Sequence, residues 1–162
     1  MISAKMQDLL NKQINMELFS GYLYLGMANY YEEEGLSGFA HWFERQAAEE
    51  WDHAMRIRQY CFDNDVPVQL AAIGTPNQTY ADFKAPLVAA YEHEKLITTS
   101  IHKLVDLAVE EKDHRTKLML DWFVTEQQEE EVSASDNIRK YKLFVTCGNG
   151  LRHLDSKMGS RE

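Results

Sequence analysis

The chain has 162 residues, of which 44% are hydrophobic, 27% are charged and three are proline. This length and hydrophobic content predict a single folded domain with a buried core and argue against a disordered chain. The formal net charge of −9 argues against a nucleic-acid binder, which would need a basic face, so we expect no nucleic-acid partner.

The apolar runs and the cysteines predict the cellular compartment of the protein. No uninterrupted apolar run approaches the roughly 18 residues that a membrane span requires, and residues 1–8 are too polar for a signal peptide. Cys61 and Cys147 provide neither a disulfide framework nor a Cys-x-x-Cys site, which favours free thiols in a reducing compartment. We therefore expect a cytoplasmic protein with no membrane partner.

Helices are predicted along almost the whole chain, because long stretches rich in good helix formers contain no helix breaker. Ser37 is the expected N-cap of the second helix, and Pro86 is tolerated in the first turns of the third. No stretch shows the alternation of a strand. The four long helices are predicted over about Ser3–Glu34, Ser37–Asn64, Asp82–Glu111 and Asp113–Phe144, and a short fifth over Leu151–Met158.

The connection lengths predict the topology. The first and second helices, and the third and fourth, are joined by a few residues, so each pair forms an antiparallel hairpin. The segment of about Asp65–Ala81 can reach about 55 Å at roughly 3.3 Å per residue, whereas a helix of about 30 residues is about 45 Å long. The sequence therefore predicts an all-α four-helix bundle with one long crossover, as a single domain over residues 1–162.

Each inward-facing helix stripe is apolar except near its middle, where an acidic or amide residue interrupts it. Shifting the first hairpin by 77 residues superimposes the polar residues of its apolar stripes on those of the second hairpin. This common shift indicates a diverged internal repeat. Packing the four helices then brings these groups together near mid-height. The superimposed residues are Glu17 on Glu94, Glu50 on Gln127, and His53 on Glu130.

This cluster predicts a metal site. For a single inward-facing glutamate, a partly exposed or hydrogen-bonded side chain is as good an explanation as a metal ligand. Several carboxylates that converge with one imidazole repel one another unless cations lie between them. The set has no thiolate, unlike a structural zinc site, and it suits Fe(II) or Mn(II). Glu50-x-x-His53 matches the Glu-x-x-His pattern of di-iron bundles, whereas Gln127-x-x-Glu130 departs from it.

These residues, together with Tyr24 near Glu17, resemble the bacterial non-haem ferritins, and the resemblance covers nearly the whole chain. It implies the ferritin-like bundle with a short fifth helix. It also implies a hollow homo-oligomeric shell of 24 subunits with octahedral symmetry. The implied activity is iron storage with ferroxidase activity: Fe(II) is oxidised by dioxygen or hydrogen peroxide, and ferric mineral is kept inside the shell.

The resemblance implies a role for each residue of the cluster. Gln127 is expected to hydrogen-bond near the metals, and Tyr24 to bond a ligand or supply an electron. Haem is not expected, because Asp52 stands where bacterioferritins carry their haem-binding methionine. The first iron would be held by Glu17, Glu50 and His53, and the second by Glu50, Glu94 and Glu130.

An acidic run in the fourth helix adjoins the expected di-iron pair. Most such runs are solvated helix faces, and that alternative stays open here. In the family, the matching residues form a third iron site, which here would comprise Glu49, Glu126, Glu129 and Glu130.

Two other functions are compatible with the same bundle. One is a di-iron oxidase or peroxidase that acts on a small substrate. The other is a helical shell protein without catalytic activity.

Overall fold

The computed structural model describes residues 1–146 and 148–162, and in that part of the chain it contains five α-helices and no strand. Helix α1 packs against α2 and α3, α3 packs against α4, and α5 contacts α2 and α4. The predicted all-α fold with four long helices and a short fifth is confirmed. The helices are α1 (Ala4–Glu33), α2 (Ser37–Asp63), α3 (Ala85–Glu110), α4 (His114–Phe144) and α5 (Gly150–Met158).

Local residues set both ends of α1. Ser3 caps its N-terminus, with the Ser3 hydroxyl accepting a hydrogen bond from the Met6 N–H at 3.1 Å. Gly35 ends it, as predicted, in a left-handed conformation with φ of 77°, which glycine adopts at little cost. The Leu36 N–H then closes the turn on the Tyr31 carbonyl oxygen at 2.8 Å.

The start of α2 corrects one prediction. Ser37 is already helical and does not act as the N-cap, and Leu36 at that position makes no side-chain capping bond. The N-terminus is capped instead by α5, because Asp155 Oδ1 accepts a hydrogen bond from the Phe39 N–H at 2.9 Å. Gly38 permits this close approach, since a Cβ at that position would lie 1.7 Å from the Asp155 carbonyl oxygen.

Helix α3 begins three residues later than predicted. The Asp82 carboxylate accepts hydrogen bonds from the backbone N–H groups of Lys84 and Ala85, at 3.0 and 2.8 Å. Asp82 therefore forms a turn in front of the helix and does not join it. Pro86 lies in the first turn of α3, as expected.

The crossover between α2 and α3 runs along α1. Asn11 donates to the Pro67 carbonyl oxygen at 3.0 Å, and Asn15 donates to the Ala72 carbonyl oxygen at 3.2 Å. Further along α1, the crossover passes Gly26, where a Cβ would lie 3.3 Å from the Asn77 carbonyl oxygen. The crossover thus advances in the same direction as α1, which lets α3 start at the end of the bundle where α2 began.

Two apolar cores lie in the bundle, one towards each end. One includes Met6, Leu10 and Cys61, and the other includes Tyr31 and Phe43. A layer of buried polar residues interrupts the apolar interior between them. This layer contains Gln13, Glu17, Ser20, Gln46, Glu50, His53, Glu94, Gln127 and Glu130.

Two further observations concern the predictions on membrane spans and on the cysteines. None of the described helices is both long and apolar enough to cross a membrane. Cys61 is buried, and burial raises the pKa of its thiol to about 11. Cys147 lies outside the described residues.

Candidate metal centre

The polar layer is built from one position or one short motif on each long helix. Helix α1 contributes Glu17, α2 the Glu50-x-x-His53 motif, α3 Glu94, and α4 the Gln127-x-x-Glu130 motif. A residue three positions along a helix lies on nearly the same face, so both members of each motif point inward. All six side chains are buried, the most exposed being Glu130 at 6%.

The structure brings these side chains together in three overlapping groups. In each group, the candidate ligand atoms lie within 4.8 Å of one another. Glu50 belongs to two groups and can therefore bridge two cations. The groups are Glu17–Glu50–His53, Glu50–Glu94–Glu130 and His53–Glu126–Glu130.

Two buried ligand atoms have no hydrogen-bond partner in the part of the chain that the structure describes. Glu17 Oε2 has none, and His53 Nδ1 lies 3.3 Å from Glu50 Oε2 without the geometry of a hydrogen bond. Buried polar atoms are nearly always paired, and here the two orphaned atoms belong to the same candidate metal group. A cation held by Glu17, Glu50 and His53 satisfies both.

Aromatic rings hold the His53 imidazole in place. The ring meets Trp122 edge to face, with 5.6 Å between ring centroids, and meets Phe123 similarly at 6.1 Å. Trp122 is itself covered by the Arg56 guanidinium, 4.0 Å from its ring centroid. This packing on α4 restricts the imidazole to a narrow range of orientations.

Amide side chains donate hydrogen bonds to three of the carboxylates, and these amides were not among the residues predicted from the sequence. Gln13 donates to Glu17 Oε1 at 2.8 Å. Gln46 donates to Glu130 Oε2 at 2.7 Å and, more weakly, to Glu50 Oε1 at 3.3 Å. Both glutamines precede a ligand carboxylate by four residues, one helical turn, and that shared spacing was the available signal in the sequence.

Glu94 receives two hydrogen bonds. Tyr24 donates its hydroxyl hydrogen to Glu94 Oε1, and Gln127 donates to Glu94 Oε2 at 3.0 Å. Each carboxylate oxygen of Glu94 thus has a donor, which fixes the plane of the group. Gln127 thus lies beside the candidate ligands as a hydrogen-bond donor to Glu94.

Burial raises the pKa of every carboxyl in the groups Glu17–Glu50–His53 and Glu50–Glu94–Glu130, because a buried carboxylate loses its hydration. The pKa of Glu17 is raised further by Glu50, and the pKa of Glu50 by Glu94 and Glu130. The pKa of Glu130 reaches about 8, from burial first and then from Glu94. Burial also raises the pKa of Glu94, while the bond from Tyr24 opposes that rise.

These shifts define what the centre can do chemically. Without a bound cation, the carboxyls stay protonated at pH values at which a solvent-exposed carboxyl is ionised. A divalent cation favours the ionised carboxylates, so its binding releases protons. Oxygen-rich ligation also favours a trivalent over a divalent iron ion.

The four residues predicted for a third iron site are not all brought together. Glu126 Oε1 lies 3.7 Å from His53 Nε2 and forms a group with Glu130. Glu49 is paired with Arg161 at 2.6 Å, although its charge still raises the pKa of Glu130. Glu129 is exposed and, among the described residues, belongs to none of the three groups.

Comparison with known proteins agrees with this arrangement. Residues 7–144 match the Ferritin-like domain family. The chain is 36% identical over 160 residues to a probable bacterial non-heme ferritin-like protein of Haemophilus influenzae, covering 99% of this chain and 97% of the relative. It is 37% identical over 168 residues to the bacterial non-heme ferritin of Bacteroides fragilis, covering 99% of this chain and the whole relative.

A solved structure is similar over the full length. It is a ferritin of the hyperthermophilic archaeon Archaeoglobus fulgidus, described as an open-pore ferritin. The two chains share 40% identity with a TM-score of 0.98, and the match covers 100% of each. With a family match over residues 7–144 and full-length relatives above 30% identity, this chain belongs to the ferritin family.

Proposed function

We propose that this ferritin stores iron and oxidises Fe(II) at a di-iron centre within each subunit. The observation that carries the proposal is the pair of buried groups that share Glu50, each with ligand atoms within 4.8 Å of one another. Membership of the ferritin family and the non-heme ferritin relatives support iron storage with ferroxidase activity.

Fe(II) binds as the substrate in this proposal. Glu17, Glu50 and His53 hold one ion, and Glu50, Glu94 and Glu130 hold the second. Two Fe(II) ions give one electron each to dioxygen, which takes up two protons and leaves as hydrogen peroxide. Hydrogen peroxide can itself serve as the oxidant. The carboxylate-rich ligand set favours Fe(III) over Fe(II). This lowers the Fe(III)/Fe(II) reduction potential, so that dioxygen oxidises the iron more readily.

The residues around the ligands hold the centre in shape. Tyr24 and Gln127 each donate a hydrogen bond to Glu94, and Gln13 donates to Glu17. These bonds limit the rotation of the carboxylates, so that the ligand oxygens stay directed towards the ions. Tyr24 is also close enough to supply an electron during oxidation.

A third iron position beside the pair is part of the same proposal. Support comes from the His53–Glu126–Glu130 group and from the influence of the Glu49 charge on Glu130. Glu49 and Glu129 stay predictions for this position. Ferric iron would leave the pair through this acidic side.

We further propose that residues 1–162 form a single ferritin-like domain that assembles into a shell of 24 copies in the cytoplasm. An apolar groove of about 430 Å³ between α1, α2 and the crossover supports self-association. Its rim exposes large apolar side chains, including Trp51 at 57% and Tyr22 at 51%, and a second copy of the chain would cover them. Such a shell of 18.8 kDa subunits has a mass of roughly 450 kDa.

The experiment is oxidation of Fe(II) by the assembled, metal-free protein. Fe(II) is added without oxygen, oxygen is then admitted, and the absorbance of ferric species is followed. We expect Glu50→Ala to remove most of the initial rate, because both groups lose a ligand. Of the two groups that share Glu50, His53→Ala should impair only Glu17–Glu50–His53.

Glu110→Ala serves as the matched control, since Glu110 is an exposed carboxylate on α3, and it should oxidise Fe(II) at the wild-type rate. Size-exclusion chromatography checks that every variant assembles. Wild-type rates in both Glu50→Ala and His53→Ala would contradict the proposed centre.

A further inference from the structure

The segment after α5 returns to α2 and contacts the outside of the metal centre. The Arg161 guanidinium lies over the Trp42 ring, 4.4 Å from its centroid. Its Nη1 donates to the Trp42 carbonyl oxygen at 3.1 Å, and its Nη2 pairs with Glu49 at 2.6 Å. The Arg161 carbonyl oxygen accepts a hydrogen bond from His41 Nε2 at 2.7 Å. Both the backbone and the side chain of Arg161 are therefore held against α2.

The same guanidinium reaches the buried amide that supports the ligands. Arg161 Nη1 donates to Gln46 Oε1 at 3.0 Å, and Gln46 is only 2% exposed. Because a guanidinium has donors only, the Gln46 oxygen must face Arg161 and the Gln46 nitrogen must face Glu130 and Glu50. A flipped amide would direct its oxygen at both carboxylates and leave Arg161 without this acceptor.

We propose that Arg161 is a positioning residue for the group Glu50–Glu94–Glu130. By fixing the orientation of the Gln46 amide, it keeps Glu130 and Glu50 in the arrangement that binds the second cation. This inference rests on the proposed function, since it assumes that this group binds a metal. Removing outer partners of metal ligands typically costs about 10- to 100-fold in metal affinity. Arg161 acts through Gln46, so we expect about a tenfold loss.

The positive charge of Arg161 acts in the opposite direction. A guanidinium close to the carboxylates repels a bound cation, and removal of that charge alone would strengthen cation binding. A weaker affinity that appears only when Gln46 is present therefore reports the lost orientation of Gln46, because an effect of the lost charge would persist in the Gln46→Ala background.

The test is a double-mutant cycle with Zn²⁺ as a redox-inactive probe. Zn²⁺ is titrated calorimetrically into assembled, metal-free wild type, Arg161→Ala, Gln46→Ala and the double variant. The binding step that involves Glu130 is identified by its loss in Glu130→Ala. We expect Arg161→Ala to weaken that step about tenfold when Gln46 is present. In the Gln46→Ala background, the same substitution should leave the affinity unchanged or raise it.

Two variants complete the design. Arg152→Ala removes an exposed arginine of α5 and should bind Zn²⁺ like wild type. Arg161→Met keeps an unbranched chain to pack over Trp42, so it repeats the comparison if Arg161→Ala fails to assemble. In Fe(II) oxidation, Arg161→Met should raise KM for Fe(II) more than it lowers kcat.

Two results would overturn the role of Arg161. One is an unchanged Zn²⁺ affinity in both Arg161 variants, and the other is an equal loss with and without Gln46. If wild type binds no Zn²⁺ at Glu50, Glu94 and Glu130, the proposed function itself fails. The two failures are therefore distinguishable in one experiment.

Discussion

Replacement of Glu130 by glutamine should stabilise the metal-free protein at alkaline pH. The pKa of Glu130 is raised from its ordinary value of 4.5 to about 8, by burial and then by Glu94. A group whose pKa is higher in the folded than in the unfolded protein makes its full contribution to stability at pH values below its pKa in the unfolded protein. That contribution is lost as the pH rises through the folded pKa. Metal-free wild type should therefore lose stability between pH 4.5 and about pH 8, whereas Glu130→Gln lacks this ionisation.

Two calculations give a similar magnitude. At about 1.4 kcal/mol for each tenfold change in the ionisation constant, the raised pKa of Glu130 corresponds to about 5 kcal/mol above pH 8. Ligand atoms in its group lie within 4.8 Å of one another, and two ionised carboxylates at that separation repel by roughly 3 kcal/mol at an effective dielectric constant of about 20. We expect a gain of about 3 to 5 kcal/mol at pH 9 and of about 1 kcal/mol or less at pH 5.

Thermal unfolding in a chelator at pH 5 and pH 9 measures this gain. For a chain of this size, 1 kcal/mol shifts Tm by about 2–4 °C, so the variant should unfold roughly 10 °C higher at pH 9. Glu110→Gln, which changes an exposed carboxylate, should show no such difference. A Glu130→Gln protein that unfolds at or below the wild-type temperature at pH 9, or gains as much at pH 5, would refute the reasoning. Saturating Zn²⁺ should reverse the order, because only wild type keeps all three carboxylates of the group.

Three further predictions concern α5, the tyrosine and the protons of the centre. Gly38→Ala should detach α5, because the new Cβ would lie 1.7 Å from the Asp155 carbonyl oxygen. Limited proteolysis should then cleave the variant within α5 faster than it cleaves the wild type. Gly74→Ala is the control, since its Cβ would make only an ordinary contact at 3.9 Å. Tyr24→Phe removes a hydrogen bond to Glu94 and should slow Fe(II) oxidation while Zn²⁺ stoichiometry is retained; an unaltered oxidation rate would count against its role. Zn²⁺ binding at pH 7 should release protons, because the pKa of Glu130 lies near 8; calorimetry in buffers of different ionisation enthalpy counts them, and no release would contradict the raised pKa.

Much of this molecule follows from local features of its sequence. Helix formers without breakers predicted the four long helices, and the length of the segment after α2 predicted a crossover. The common 77-residue shift predicted that Glu17, Glu50, His53, Glu94 and Glu130 meet. These predictions work because helical periodicity and chain length act within one helix or one connection, and two hairpins packed as a repeat bring equivalent positions to the same height.

Other features depend on contacts between distant parts of the chain. Ser37 looked like an N-cap, yet Asp155 caps α2 across 116 residues of sequence. The acidic run predicted a third site, but the direction of each glutamate is decided by its neighbours, and Glu49 turns to Arg161. Neither the spacing nor the composition of the sequence contains this information, because a side chain rotates towards whichever partner the packed helices bring near it.

The sequence by itself determined which residues line the interior of the bundle and at what height, since that follows from the helical repeat and the solvation cost of polar groups. Only the tertiary structure decided how those residues are supported. The orientation of the Gln46 amide depends on a guanidinium 115 positions further along the chain, and that contact exists only after α5 has packed across α2.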